Sequence, residues 1–169
     1  MEYKNTIITP KTDFPMKAGL PQREPAMLER WEGTDLYNAL LEKSKELPPF
    51  ILHDGPPFSN GYIHMGHALN KCLKDFIVRS HAMMGFYTPY VPGWDNHGLP
   101  IERAIENSKK KLNKDMSVPE FRKACEDFAE DFIQKQMGGF KRLGVVGDWK
   151  NLRQSPRRPC GTRGRTYPC

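Results

Sequence analysis

Between residues 24 and 46, EPAMLERWEGTDLYNALLEKSKE, the apolar side chains Trp31, Leu36, Leu40 and Leu41 return at helical spacing among charged neighbours. The pattern predicts a helix, interrupted near Gly33 and stopped by Pro48 and Pro49. FILHDG (50–55) is short, apolar and closed by a turn, which predicts a buried strand. A second helix is predicted from about Met65 to Met84. Leu69, Leu73, Phe76 and Ile77 form its inward stripe, and Lys71, Lys74, Asp75 and Arg79 its solvated face. Gly85 is its natural stop. YTPYVPG (87–93) follows as a second strand, weakened by its two prolines. Strand, helix, strand is a βαβ unit, with parallel strands and a right-handed crossover.

Further along, WDNHGLPIE (94–102) turns into another short helix, and KKKLNKD (109–115) reads as a solvated basic stretch. Ser117 followed by Glu120 is a capping box opening a long helix that reaches about Leu143. Phe121, Cys125, Phe128, Phe132, Met137 and Phe140 line one face of it and are expected in the core. Residues 1–22 form a lead-in punctuated by Pro10, Pro15 and Pro21. No internal repeat is visible. The expected fold class is α/β, a doubly wound sheet with parallel strands, assembled only in part by this chain.

A chain of 169 residues suits one domain with its own core. It contains no apolar run long enough to span a bilayer, and MEYKNTIITP lacks the build of a secretory leader, so the cytoplasm is the expected location. Cys72, Cys125, Cys160 and Cys169 show no CxxC spacing, so no zinc site and no disulfide framework is expected. Cys72 and Cys125 are read as small, reduced core residues.

Charge changes the picture only at the end of the chain. Five of the 26 basic residues are arginines within LRQSPRRPCGTRGRTYPC (152–169), which holds no acid, leaving the body with 21 bases against 20 acids. The body uses Lys far more than Arg, and the tail uses Arg alone. Two readings stand: a basic arm for nucleic acid, or a reading frame changed near Asn151.

The candidate chemistry sits in PPFSNGYIHMGHALNKCLKD (56–75), where His64 and His67 open a helix after a Pro/Asn/Gly-rich turn. Metal ligation is the weaker reading, because HMGH lacks the Glu of HExxH and a third ligand at sensible spacing. The position behind the first strand of a βαβ unit collects free backbone N–H groups and the positive helix end, which favours a phosphate. Asn60-Gly61 supplies the turn, and Gly66 lets a ligand come close to the backbone. The residues fit neither GxxxxGK[ST] nor GxGxxG, and point to a nucleotide triphosphate.

HMGH resembles the His-Ile-Gly-His motif of class I aminoacyl-tRNA synthetases. The wider string HDGPPFSNGYIHMGHALNKCLKD, with GWDNHGLPIE (93–102) and the lead-in TDFPMKAGLPQREP, resembles the isoleucine–tRNA ligase family over residues 1 to about 151. The resemblance implies a partial Rossmann-like catalytic domain: residues 1–47 an extension and helix, and 48–151 the first half of that domain; it covers nothing of the Arg/Pro-rich tail, 152–169, whose switch to Arg favours a non-native origin. It implies ATP with Mg2+, L-isoleucine and tRNA(Ile) as partners, a monomer, and no zinc site in this chain. His64 and His67 are the implied catalytic residues. Pro57, Asn60, Gly61 and Gly66 join them around ATP, while Gly55, Pro56 and Asp95 hold isoleucine, with Asp95 on its ammonium. A helix cap or turn residue is the lesser alternative for Asp95, and His53 and His97 carry no firm role. The family's second ATP motif, Lys-Met-Ser-Lys-Ser, has no counterpart; KDMS (114–117) lies in the wrong context. Editing and anticodon-binding regions are likewise missing, so the chain alone is expected to be inactive. Two other classes remain open: a nucleotide-binding module needing a complementing chain, and an RNA-binding protein working through its tail.

Overall fold

The structure, a computed structural model, describes residues 6–8, 13, 18–96, 99–108, 117–150 and 153–154. Pro10, Pro15, His97, the basic stretch 109–115, and Cys160 and Cys169 of the tail lie outside them. Among the described residues the elements run α1 (Leu20–Gly33), α2 (Leu36–Ser44), α3 (Met65–Met83), β1 (Gly93–Trp94), α4 (Leu99–Ser108), α5 (Val118–Arg142) and β2 (Arg153–Gln154).

The first predicted helix is indeed broken, at Thr34–Asp35, where Asp35 takes a left-handed backbone. It begins at Leu20, ahead of expectation, with Pro21 in the first turn, where a missing N–H costs nothing. Neither α1 nor α2 buries a side chain fully, and Leu40 lies exposed.

The two expected strands keep their parallel direction but not a continuous ladder. Isolated bridges pair Pro49 with Tyr87 and Phe58 with Asp95. Tyr87 N–H donates to the Pro48 carbonyl at 2.9 Å, and Phe50 N–H to the Tyr87 carbonyl at 2.8 Å. Between the bridges, side chains replace backbone partners. The Tyr37 hydroxyl accepts from Tyr90 N–H and donates to the Tyr90 carbonyl, both at 3.1 Å. The Asp54 carboxylate accepts from Gly93 N–H at 3.1 Å. Pro89 and Pro92 have no N–H to give, so YTPYVPG cannot form an unbroken ladder. FILHDG is correspondingly not a buried strand, and Ile51 is exposed. The regular pairing that does form joins β1 to β2 in parallel, Gly93 opposite Arg153 and Trp94 opposite Gln154.

The largest correction concerns α3. Its expected inward stripe faces out, with Leu69 63% and Phe76 64% exposed and Leu73 and Ile77 also exposed. Its expected wet face turns in: Lys71 is 2% and Asp75 6% exposed. The cause is what lies beneath that face. It holds the lone carboxylate of Asp54 and the open backbone ends of the turn after α5, and these need polar partners. Lys71 and Lys74 reach Asp54, Asp75 accepts from Val146 N–H at 2.9 Å, and Arg79 donates to the Gly144 carbonyl while pairing with Asp75 at 2.6 Å.

The core is three packed clusters, two of them along α5 and the third between α3 and the segments around Tyr90 and Val145. Ile101 and Ile105 of α4 meet Cys125 and Ala129. Trp94 meets Ile133 and Phe140, and Val78 meets Tyr90 and Val145. The buried line of α5 is therefore Cys125, Ala129, Ile133, Gln136 and Phe140. Of the expected stripe, Cys125 and Phe140 lie in that line, while Phe121, Phe128, Phe132 and Met137 are half-buried at its flanks. Small side chains at 125 and 129 let α4 approach closely, which leaves the larger rings to cover the seam. The capping box holds, with the Glu120 carboxylate accepting from both the Ser117 N–H (2.8 Å) and hydroxyl (2.6 Å).

Both long helices end in the same device. After α3, Gly85 (φ 91°) donates to the Ala82 carbonyl and Phe86 N–H to the His81 carbonyl. After α5, Gly144 (φ 80°) donates to the Lys141 carbonyl and Val145 N–H to the Phe140 carbonyl. Only glycine takes that left-handed backbone without strain. Gly85→Ala is expected to lower stability by about 1 kcal/mol, read as a lower urea midpoint at unchanged slope; an unchanged midpoint would refute the cap's importance.

Candidate functional site

His64 caps α3 from an extended backbone (φ −122°, ψ 176°). Its Nδ1 accepts from Gly66 N–H at 3.1 Å, and His67 Nδ1 accepts from His64 N–H at 3.4 Å. This is a capping box written in histidine: two of the free N–H groups at the helix start are taken by two imidazoles. The rings stack with centroids 3.9 Å apart. An Nδ1 that accepts leaves the ring proton of a neutral imidazole on Nε2. Each ring therefore keeps one N–H donor for an outside acceptor. Burial, the neighbouring His64 and the Lys71 charge hold the His67 imidazole below its ordinary range, which keeps it neutral near pH 7.

Gly66 has a sharper reason than room for a ligand. A Cβ there would lie 2.9 Å from the His64 ring, so glycine lets the capping imidazole fold back.

The turn before the helix is tied to the segment that carries Asp95. Asp95 N–H donates to the Pro57 carbonyl at 2.9 Å, Ser59 N–H returns to the Asp95 carbonyl at 3.4 Å, and the Ser59 hydroxyl donates to Asn96 Oδ1 at 2.7 Å. Pro57 and Ser59 are buried, whereas Gly55, Pro56, Asn60 and His64 lie at the surface, with Gly61, His67 and Asp95 half-buried. The structure thus brings the predicted isoleucine residues to one end of the parallel segments, with the histidine pair on the next turn. His53 is exposed in the same run.

Beneath the site sits a hub that the sequence did not announce. Asp54 binds Lys71 at 2.5 Å and Lys74 at 2.7 Å, and Lys71 also donates to the Tyr90 hydroxyl at 3.3 Å. Lys74 reaches the Gly55 carbonyl at 3.2 Å. Burial works against the Asp54 carboxylate, but hydrogen bonds from the two ammonium groups outweigh it and leave the carboxyl below its ordinary value. Burial pulls the Lys71 ammonium down against the opposing hold of Asp54, and the neighbouring Lys74 charge adds to the pull. Burial and the Asp54 charge push the Tyr90 phenol well up, so it stays protonated. The carboxylate fixes Gly55, the helix of the histidines and Gly93 relative to one another.

Gln136 is the second missed residue. It is 1% exposed, accepts from Trp94 Nε1 at 2.8 Å, and donates to the carbonyls of Phe58 (3.0 Å) and Gly61 (2.6 Å). A polar residue in register with Ile133 and Phe140 was the available signal.

Residues 26–155 match the family model of class I tRNA synthetases (I, L, M and V). The isoleucine–tRNA ligases of Bacillus licheniformis and of Bacillus subtilis strain 168 are each 58% identical to this chain over 151 residues, 89% of its length. The chain spans 16% of the length of these curated relatives. Among solved structures, the LeuRS of Agrobacterium radiobacter K84, in its ternary complex LeuRS-tRNA-LeuAMS, shares the fold. Its TM-score is 0.62 at 20% identity, over 82% of this chain and 16% of that one.

Proposed function

Because the chain belongs to the class I tRNA synthetase family of the isoleucine, leucine, methionine and valine enzymes, we propose that it supplies the ATP- and isoleucine-handling part of an isoleucine–tRNA ligase. The fold is that of the class I catalytic domain. The finer division belongs to the proposal: residues 48–151 as the first half of a Rossmann-like domain, 1–47 ahead of it, and the tail from 152 apart.

In the proposed reaction an isoleucine carboxylate oxygen bonds to the α-phosphorus of ATP. The bond from that phosphorus to the bridging oxygen breaks, and pyrophosphate leaves with the electron pair. A terminal ribose hydroxyl of tRNA(Ile) then bonds to the isoleucyl carbonyl carbon, the bond from that carbon to the phosphate oxygen breaks, and AMP leaves with the electron pair as the hydroxyl gives up its proton. Charge grows on phosphoryl oxygens during the first step, so donors already in place lower the barrier without reorganising. His64 and His67 are those donors, through Nε2–H. Asn60 and Gly61 shape the turn that receives the phosphates. Asp95 takes the substrate ammonium beside Gly55 and Pro56, where a charge leaving water needs an opposite one. One observation carries the reading: both imidazoles spend Nδ1 on the helix start and so present the other nitrogen as a donor.

Mg2+ enters with the nucleotide. Among the described residues no three His, Cys, Asp or Glu come together to hold a metal, and no step is assigned to the ion. The proposed setting is a cytoplasmic monomer; no helix among the described residues is long and apolar enough to cross a membrane.

The test is co-expression of this chain with the remaining segment of the Bacillus subtilis relative, followed by isoleucine-dependent ATP–pyrophosphate exchange. Exchange by the pair, and negligible exchange by either piece alone, is the expected result. A pair that co-purifies and yet shows none overturns the reading.

A further inference from the structure

Gln136 lies in the C-terminal half of α5, remote in sequence from every residue assigned to ATP or isoleucine, and yet it touches the supports of both. Its amide nitrogen donates to the Phe58 and Gly61 carbonyls, on either side of Asn60, and its carbonyl accepts from the Trp94 indole next to Asp95. The amide nitrogen makes two bonds and the amide oxygen one, inside a shell of Trp94, Ile133 and Phe140. A glutamine satisfied this way has one orientation, and reversing the amide would set donor against donor.

Three residues on, the same helix face approaches the site again. A Cβ at Gly139 would stand 2.6 Å from Ile63 Cδ1, so the helix is cut back where the residue before His64 packs. The other ties of the turn run to its two flanks: Ser59 and Pro57 bond to the Asp95–Asn96 segment, and Tyr62 sets its ring edge-on against Phe132 of α5, while Asn60 between the two Gln136 bonds is exposed.

We propose that Gln136 is a positioning residue for nucleotide capture: it sets the height of the 58–61 turn, and through it the approach of the phosphates to His64 and His67. The inference rests on the function proposed above. Loss of the amide lets the two carbonyls swing toward water and leaves the turn with a population of conformers that do not receive ATP.

Two measurements separate this inference from that function. In the complemented enzyme, Gln136→Met is expected to raise KM for ATP about tenfold, with KM for isoleucine changed less than about threefold. Ile133→Val, on the same helix face, removes packing without touching the turn and is expected to leave both constants near wild type. In the chain alone, Gln136→Met is expected to shift or broaden the backbone amide resonances of residues 59–66 and the ring resonances of His64 and His67, and Ile133→Val is not. Unchanged resonances in that segment overturn the positioning role whatever exchange shows, as does an unchanged KM for ATP. Wild-type exchange that never appears condemns the proposed function instead, and the resonances still decide whether Gln136 holds the turn. Should the Met variant fail to fold, Gln136→Asn, which keeps the amide but withdraws it by one methylene, gives the same two readouts.

Discussion

Asp54→Ala is expected to cost the chain about 3–5 kcal/mol, the range seen when one partner of a buried ion pair is removed. The side chains of Asp54 and Lys71 are 5% and 3% exposed, so water does little to screen them. Taking the carboxylate away leaves the Lys71 ammonium without its anion, Lys74 with only the Gly55 carbonyl, and Gly93 N–H without an acceptor. Urea denaturation followed by circular dichroism reads the effect. A midpoint within error of wild type would show that the hub does not hold the fold. Removing both charges should hurt less, since Asp54→Leu with Lys71→Met leaves no orphaned ion at the centre. The pH dependence has a definite sign. A carboxyl held below its ordinary value contributes stability at neutral pH that is fully present above the unfolded value. That stability is lost as pH falls through the lowered one.

His64→Ala or His67→Ala in the complemented enzyme is expected to reduce the adenylation rate at least about 100-fold, equivalent to roughly 2.7 kcal/mol of transition-state stabilisation. The simple alanine result is ambiguous, because each ring also caps the helix. His64→Asn resolves it. Asparagine is a good N-cap and keeps an acceptor for Gly66 N–H, but it has nothing at the place of Nε2. A rate that recovers with Asn would assign the histidine to capping alone. A rate that stays low while the fold is intact assigns it to the phosphates. Exchange within about threefold of wild type for both alanine variants would remove the histidines from the chemistry.

Much of this was readable from the residues, for reasons that differ from place to place. Gly85, the Ser117–Glu120 box and the break after Gly33 are local events, decided within one turn of chain, and each occurs within a residue or two of where the sequence put it. The place of the histidine pair, at the start of α3, was legible because a helix start is decided within one turn of chain. The orientation of α3 was not legible. Its apolar and polar faces are both well formed, and which one turns inward depends on Asp54 and on the Gly144–Val146 turn, far apart in sequence. Periodicity names the faces of a helix but not what waits beneath them. The ladder between the parallel segments failed for a related reason. The prolines of YTPYVPG are visible in the sequence, but the hydroxyl of Tyr37 that fills their place comes from a helix some fifty residues earlier. Gln136 was hidden by its company, one polar side chain in a line of apolar ones.

The way the His67 imidazole is engaged makes the helix start sensitive to acid. A proton arriving at the His67 Nδ1 turns an acceptor into a donor facing the His64 N–H, which is also a donor, and the contact becomes repulsive. Since the His67 ring resists that proton in the folded chain, acid below the usual imidazole range works against the folded arrangement. The same event unhooks the first turn of α3 and disturbs the hand that would grip a nucleotide, so a single protonation loosens scaffold and chemistry together.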